Sequence, residues 1–182
     1  YEPAGAPLAV DGEWTLTFEH GGAELPVSRQ LSKLLSWTEL EGEGYAAFSG
    51  TARYAIDLIL PEHKPDAWRL DLGSVANSAV VILNGEKLGT LIGPNYSIDV
   101  SPEKFLPVNK LEVLVTNRMA NRIIAMDKAH TFWKRFYNVN FPANRAADRG
   151  PDGLFTAEKW KPLPSGLLGP VQLIPLQKMN PQ

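Results

Sequence analysis

Apolar and polar residues alternate with a period of two in several separate stretches, the signature of strands with one face buried and one in water. The clearest runs from Ala52 to Leu60, where Tyr54, Ile56, Leu58 and Leu60 fall on one face and Arg53 and Asp57 on the other. Lys110 to Thr116 repeats the pattern, with Leu111, Val113 and Val115 opposite Glu112, Leu114 and Thr116. Trp14-Thr15-Leu16-Thr17-Phe18, Arg69 to Leu72 and Val171 to Leu176 are three more such stretches. Val80-Val81-Ile82-Leu83 is a continuous apolar run rich in β-branched residues, and Asn84-Gly85 follows it. That dipeptide is the strongest short-range signal for a type I′ hairpin turn, because both central residues need positive φ. Glu86 to Leu91 is then the returning strand.

Turn chemistry separates these runs. Gly21-Gly22 ends the first strand, Gly42 and Gly44 loosen the chain before Phe48, Pro61 stops the strand ending at Leu60, and Pro65 keeps the next loop extended. Helical signals are few. Leu31, Leu34 and Leu35 within Ser28–Trp37 fit a single helical turn or an extended crossover equally well. Ser101-Pro102-Glu103 has N-cap and N1 chemistry for one turn, and residues 123–136 can hold a helix. Trp14 and Trp68 sit inside strand patterns and are expected in the core, while Trp37 is undecided. Many short strands and little helix predict an all-β fold, an antiparallel jelly-roll β-sandwich with a long, partly helical late loop. Residues 1–10 read as a Pro/Gly/Ala-rich linker, 11–176 as one sandwich domain, 118–164 as a long loop insertion and 177–182 as a tail.

The 182 residues suit one domain, and a formal net charge of −2 gives no reason to expect nucleic acid or an anionic membrane as partner. There is no cysteine, which removes disulfides and thiol nucleophiles. No run of about 18 apolar residues predicts a membrane span. The chain opens Tyr1-Glu2-Pro3 without Met, which reads as a processed or excised module of a longer protein. A phosphate-binding glycine loop and a nucleophile elbow are both missing. His20, His63 and His130 are too scattered for a zinc site, so no metal site or cofactor is expected; a structural calcium around Asp148 and Asp152 is the weak exception. Glycosidic cleavage needs two opposed carboxylates. The late loop offers Asp127, Asp148, Asp152 and Glu158, but no spacing opposes any two of them, and no catalytic residue is assigned. Sugar recognition asks for flat aromatic faces ringed by amide and guanidinium groups. Asn117, Arg118, Asn121, Arg122, Trp133, Tyr137 and Trp160 are the candidate ligand-binding residues, with Lys134 and Arg135 between them. The alternative is that Trp133, Tyr137 and Trp160 cover the sandwich end or bury against a neighbouring domain.

The ordered set of short motifs carries a resemblance. It comprises Trp14–Phe18, Leu35-Ser36-Trp37, Phe48–Tyr54, AVVILNGEKLGT, LEVLVTNRMANRI and the closing Leu163–Val171. Together they resemble the galactose-binding-like β-sandwich appended to glycoside hydrolases of the family 2 and rhamnosidase types, in the latter the C-terminal sandwich. The resemblance implies an accessory module of an exported bacterial enzyme, periplasmic or extracellular, that removes sugars, often rhamnose, from plant polysaccharide. It places the catalytic carboxylates on a separate barrel, so none carries over. The implied partners are carbohydrate, a catalytic barrel of the same protein, or both. Such sandwiches sometimes bind sugar and sometimes only brace the barrel.

Overall fold

The computed structural model describes residues 1–22, 24–61, 65–134, 143 and 145–179. The long strands are β3 (Trp14–Gly21), β5 (Gly50–Leu58), β6 (Ala67–Asp71), β8 (Ser78–Leu83), β9 (Glu86–Ile92), β11 (Asn109–Thr116) and β13 (Gln172–Gln177). Shorter ones are β1 (Glu2–Pro3), β2 (Leu8–Ala9), β4 (Arg29–Leu31), β7 (Ser74–Ala76), β10 (Ser97–Val100) and β12 (Gly166–Gly169), and the helix α1 spans Ala120–Lys128. One sheet runs β4-β3-β5-β11-β8-β9, and a second runs β1-β13-β6-β10 with β2 also on β13. β7 and β12 form a two-stranded ribbon. The pairings are antiparallel. The chain is an antiparallel β-sandwich.

Register explains why the alternation was legible. Val113 lies opposite Tyr54 on one side and Val81 on the other, and Leu111 lies opposite Ile56 and Leu83. Leu16 extends the Tyr54 row and Phe18 the Ala52 row. These rows form the inner face, and a slip of one residue would turn them all to water. Trp68, Leu70, Val100 and Leu173 of the second sheet complete the same core. On the outer face Arg53 sits between Glu19 (2.5 Å) and Glu112 (2.8 Å). Asn84 (φ 52°) and Gly85 (φ 82°) form the expected turn between β8 and β9. Trp14 and Trp68 are buried as expected, and Trp37 is fully buried as well.

Several expectations change. Residues 1–10 do not run free as a linker: β1 and β2 pair with β13, and Val10 N–H donates to Val171 O at 2.9 Å. Backbone pairing here needs no apolar periodicity, so composition alone hid it. Ser28–Trp37 is neither of the two forms considered. It holds β4 and ends at a 3₁₀ turn, Trp37–Glu39, with a Ser36 capping box. Ser101 precedes the 3₁₀ turn Pro102–Lys104 but makes no side-chain cap. The late helix is α1, beginning three residues before the expected start. The last residues of the expected helix, Arg135 and Phe136, lie outside the described residues. In the segment read as a tail, Gln177 completes β13 and Lys178 N–H donates to Asp66 at 2.8 Å.

At one end of the core, Phe18 meets Trp37, Tyr45 and Phe48 at ring-centroid distances of 5.5, 5.5 and 4.8 Å. Tyr54 Oη accepts from Trp37 Nε1 at 2.6 Å and from the Leu167 N–H at 3.1 Å. Burial pushes this phenol well above its ordinary pKa, against the opposing effect of the two donors.

Candidate functional site

The late loop leaves the sandwich at the end of β11 and returns at β12, and a polar knot joins the two points. Asn117 Oδ1 accepts from Gly50 N–H at 2.9 Å, and its Nδ2 donates to Phe48 O (2.9 Å) and Ser165 Oγ (3.1 Å). Asn121 holds Leu163 as a strand neighbour would: its Nδ2 donates to Leu163 O at 2.7 Å and its Oδ1 accepts from Leu163 N–H at 2.8 Å. Ser165 N–H donates to Ser36 Oγ at 3.0 Å. Both amides, offered by the sequence as sugar contacts, are therefore engaged in closing the loop. Asn121 is 5% exposed. An amide matches a backbone peptide in donor and acceptor, which suits it equally to either role.

Beyond the knot, α1 ends in a left-handed residue. His130 has φ 52°, Thr131 N–H reaches back to Met126 O at 2.8 Å, and His130 N–H to Asp127 O at 3.1 Å. This closing motif normally takes glycine at His130's position. It turns residues 131–134 sharply across the helix end. A tight hairpin faces them. Arg149 bridges Phe155, Gly153 N–H donates to Gly150 O at 3.0 Å, and Pro151-Asp152 occupy the corner. Proline at the second turn position and the Asp152 carboxylate accepting Leu154 N–H at 2.9 Å are the local reasons for that corner.

Asp127 ties the two limbs together. Its carboxylate is 7% exposed and accepts from Trp133 Nε1 (2.5 Å) and from the Ala157 N–H (2.7 Å). Lys134 Nζ lies 3.8 Å from the same carboxylate and 5.5 Å from the Trp133 ring centroid. Between the limbs is a cleft of about 470 Å³. One wall is Asp127, His130, Thr131, Phe132, Trp133 and Lys134; the other is Gly150, Pro151, Asp152, Leu154, Thr156 and Glu158. Asp152 and Glu158 are exposed at its mouth.

Of the six ligand-binding candidates among the described residues, only Trp133 lines this cleft. Arg118 is exposed and Arg122 half-buried at the start of α1, and neither has a carboxylate partner among the described residues. Trp160 is 41% exposed, donates to Asp148 Oδ1 at 2.8 Å and packs edge-on against Phe155. Tyr137 lies outside the described residues, as does Arg135. His130 and Phe132 escaped sequence reasoning. The one available signal was their nearness to Trp133 in an aromatic stretch. Among the described residues no group of three His, Asp or Glu could hold a metal ion. Asp148 Oδ1 accepts from Trp160 Nε1 at 2.8 Å, and Asp152 Oδ1 accepts from the Leu154 N–H at 2.9 Å. A second hollow, of about 300 Å³, is lined by Val10, Trp14, Leu34, Leu168 and Pro170 together with Asp11, Ser32 and Lys33.

Fold and site define a β-sandwich module with one aromatic cleft carried on an inserted loop. No family model matches the chain. It is 33% identical over 192 residues to a putative β-glucuronidase of Formosa agariphila, a match that takes in 92% of this chain and 15% of that protein. A rhamnosidase from Novosphingobium sp. PP1Y has the same fold over 96% of this chain and 16% of its own, with TM-score 0.69 and 28% identity. A β-glucuronidase from Ruminococcus gnavus matches 97% of this chain and 30% of its own with TM-score 0.60 at 16% identity, which shows the fold alone. The chain thus spans 15% and 16% of the length of the first two, and is similar to one domain-sized segment of glycoside hydrolases.

Proposed function

We propose that this chain is a non-catalytic accessory β-sandwich, of the galactose-binding-like kind, in a rhamnosidase-like glycoside hydrolase acting on plant polysaccharide outside the cytoplasm. Its own contribution is weak carbohydrate contact at the late-loop cleft, with bond cleavage left to a separate barrel. The observation that carries this reading is Trp133, held by Asp127 at the wall of an open cleft. Its ring supplies an apolar platform, and His130, Thr131, Asp152 and Glu158 supply groups for hydroxyls. The strained backbone at His130 supports it, since such conformations cluster at binding sites. Titration with neutral mono- and oligosaccharides, followed by calorimetry and by the tryptophan indole resonances, tests it. Saturable shifts at millimolar sugar, lost in Trp133→Ala, are expected. No response to any sugar would remove the binding claim.

A second reading rests on a different feature. Met119, Phe132, Leu154, Trp160 and Leu163 of the same loop are all exposed, Phe132 by 71%. Exposed apolar residues mark an interface where they form one contiguous patch, and the occupant under this reading is the catalytic barrel of the longer protein. Under that reading Phe132→Ser prevents assembly with the separately produced barrel, and the sugar titration is silent.

A further inference from the structure

Charge at the cleft mouth goes beyond the presence of an aromatic platform. Among the described lining residues Lys134 is the one lysine or arginine, and its ammonium lies 3.8 Å from the buried Asp127 carboxylate. That pair neutralises itself inside the wall. Asp152 and Glu158 remain, both exposed at the opposite wall and neither with a cationic partner among the described residues. A ligand entering between Trp133 and the hairpin meets two formal negative charges and no free positive one in the described lining.

We infer that the late-loop cleft selects uncharged saccharides and rejects acidic ones, with Asp152 and Glu158 as the specificity-determining residues. This rests on the carbohydrate-binding reading. For a neutral sugar the two carboxylates are strong hydrogen-bond acceptors for hydroxyls. For a uronate or a sulfated sugar they are like charges within a few ångströms of the ligand's own. In a half-solvated cleft that repulsion weakens binding by about tenfold at low salt.

A matched pair of probes isolates the effect: methyl glucoside against methyl glucuronide, and methyl galactoside against methyl galacturonide. Each pair differs at one carbon, CH₂OH against carboxylate. The expected result is saturable movement of the Trp133 indole resonance with the neutral member and about tenfold weaker binding of the acidic one. The gap between the two members should narrow at high salt and in the double variant D152N/E158Q, in which the neutral sugar also binds more weakly because its hydroxyls lose two charged acceptors. Acidic members binding as tightly as their neutral partners, or a gap unmoved by salt and by the double variant, overturns the charge selection and leaves sugar binding standing. Silence with every probe overturns both.

Discussion

Replacing Tyr54 by phenylalanine removes one oxygen from the centre of the sandwich and leaves its ring in place. That oxygen accepts from Trp37 Nε1 at 2.6 Å and from the Leu167 N–H at 3.1 Å. Tyr54, Trp37 and Leu167 are all 0% exposed, so water has no path to either donor. A buried donor left without an acceptor costs about 1–3 kcal/mol. Two such donors put the expected loss at about 2–5 kcal/mol, close to the margin by which a domain of this size is stable. With an m-value of about 2 kcal/mol/M, the urea midpoint falls by roughly 1–2.5 M. The tryptophan fluorescence transition reads it directly. A second measurement separates the hydroxyl from general repacking. Burial holds this phenol above its ordinary range, so the native chain keeps the proton while the unfolded chain loses it above about pH 10. The unfolded state then binds fewer protons, and the wild type loses stability as pH rises past 10, by up to about 1.4 kcal/mol per pH unit from this group. Tyr54→Phe should lack that component. A loss below about 1 kcal/mol at neutral pH, or an unchanged alkaline slope, would refute the account.

Three other outcomes follow from the same geometry. Gly166→Ala should prevent folding or cost more than about 3 kcal/mol, because Gly166 has φ +99° and an added Cβ would sit 2.3 Å from Tyr54 Oη; Gly85→Ala, at φ +82° with open space around it, should cost only about 1–2 kcal/mol in the same melt. Asn121→Ala should unfasten the loop at Leu163, raising protease cleavage and amide exchange within residues 120–164 by tenfold or more while β5 and β11 keep their protection. His130→Gly relieves a left-handed non-glycine residue and should raise stability by about 0.5–1 kcal/mol in urea melts, with weaker sugar response if the imidazole contacts ligand.

The strands were legible because burial on one face writes itself into the sequence residue by residue. Leu111, Val113 and Val115 alternate because the register with β5 and β8 gives every second position to the core. Asn84-Gly85 was legible for a still more local reason, since both residues adopt positive φ within the turn itself. The candidate site was not legible in this way. Asn117 and Asn121 have the same chemistry whether they meet a hydroxyl or a peptide, and only the return of the chain to Leu163 and Ser165 assigns them to the peptide. Trp133 and Trp160 look alike in the sequence. Asp127 turns one into the wall of a cleft, while Phe155 and Asp148 hold the other elsewhere.

By itself, then, the sequence determined the strand-forming segments, their inward faces and the hairpin turn, because each depends on neighbours within a few residues. The order of strands in the sheets, the docking of residues 1–10 onto β13 and the convergence of Asp127, Trp133 and the 150–158 hairpin on one cleft were decided only in three dimensions. They are contacts between segments far apart in the chain, whose energy comes from mutual burial and shared hydrogen bonds, and no local pattern carries that information.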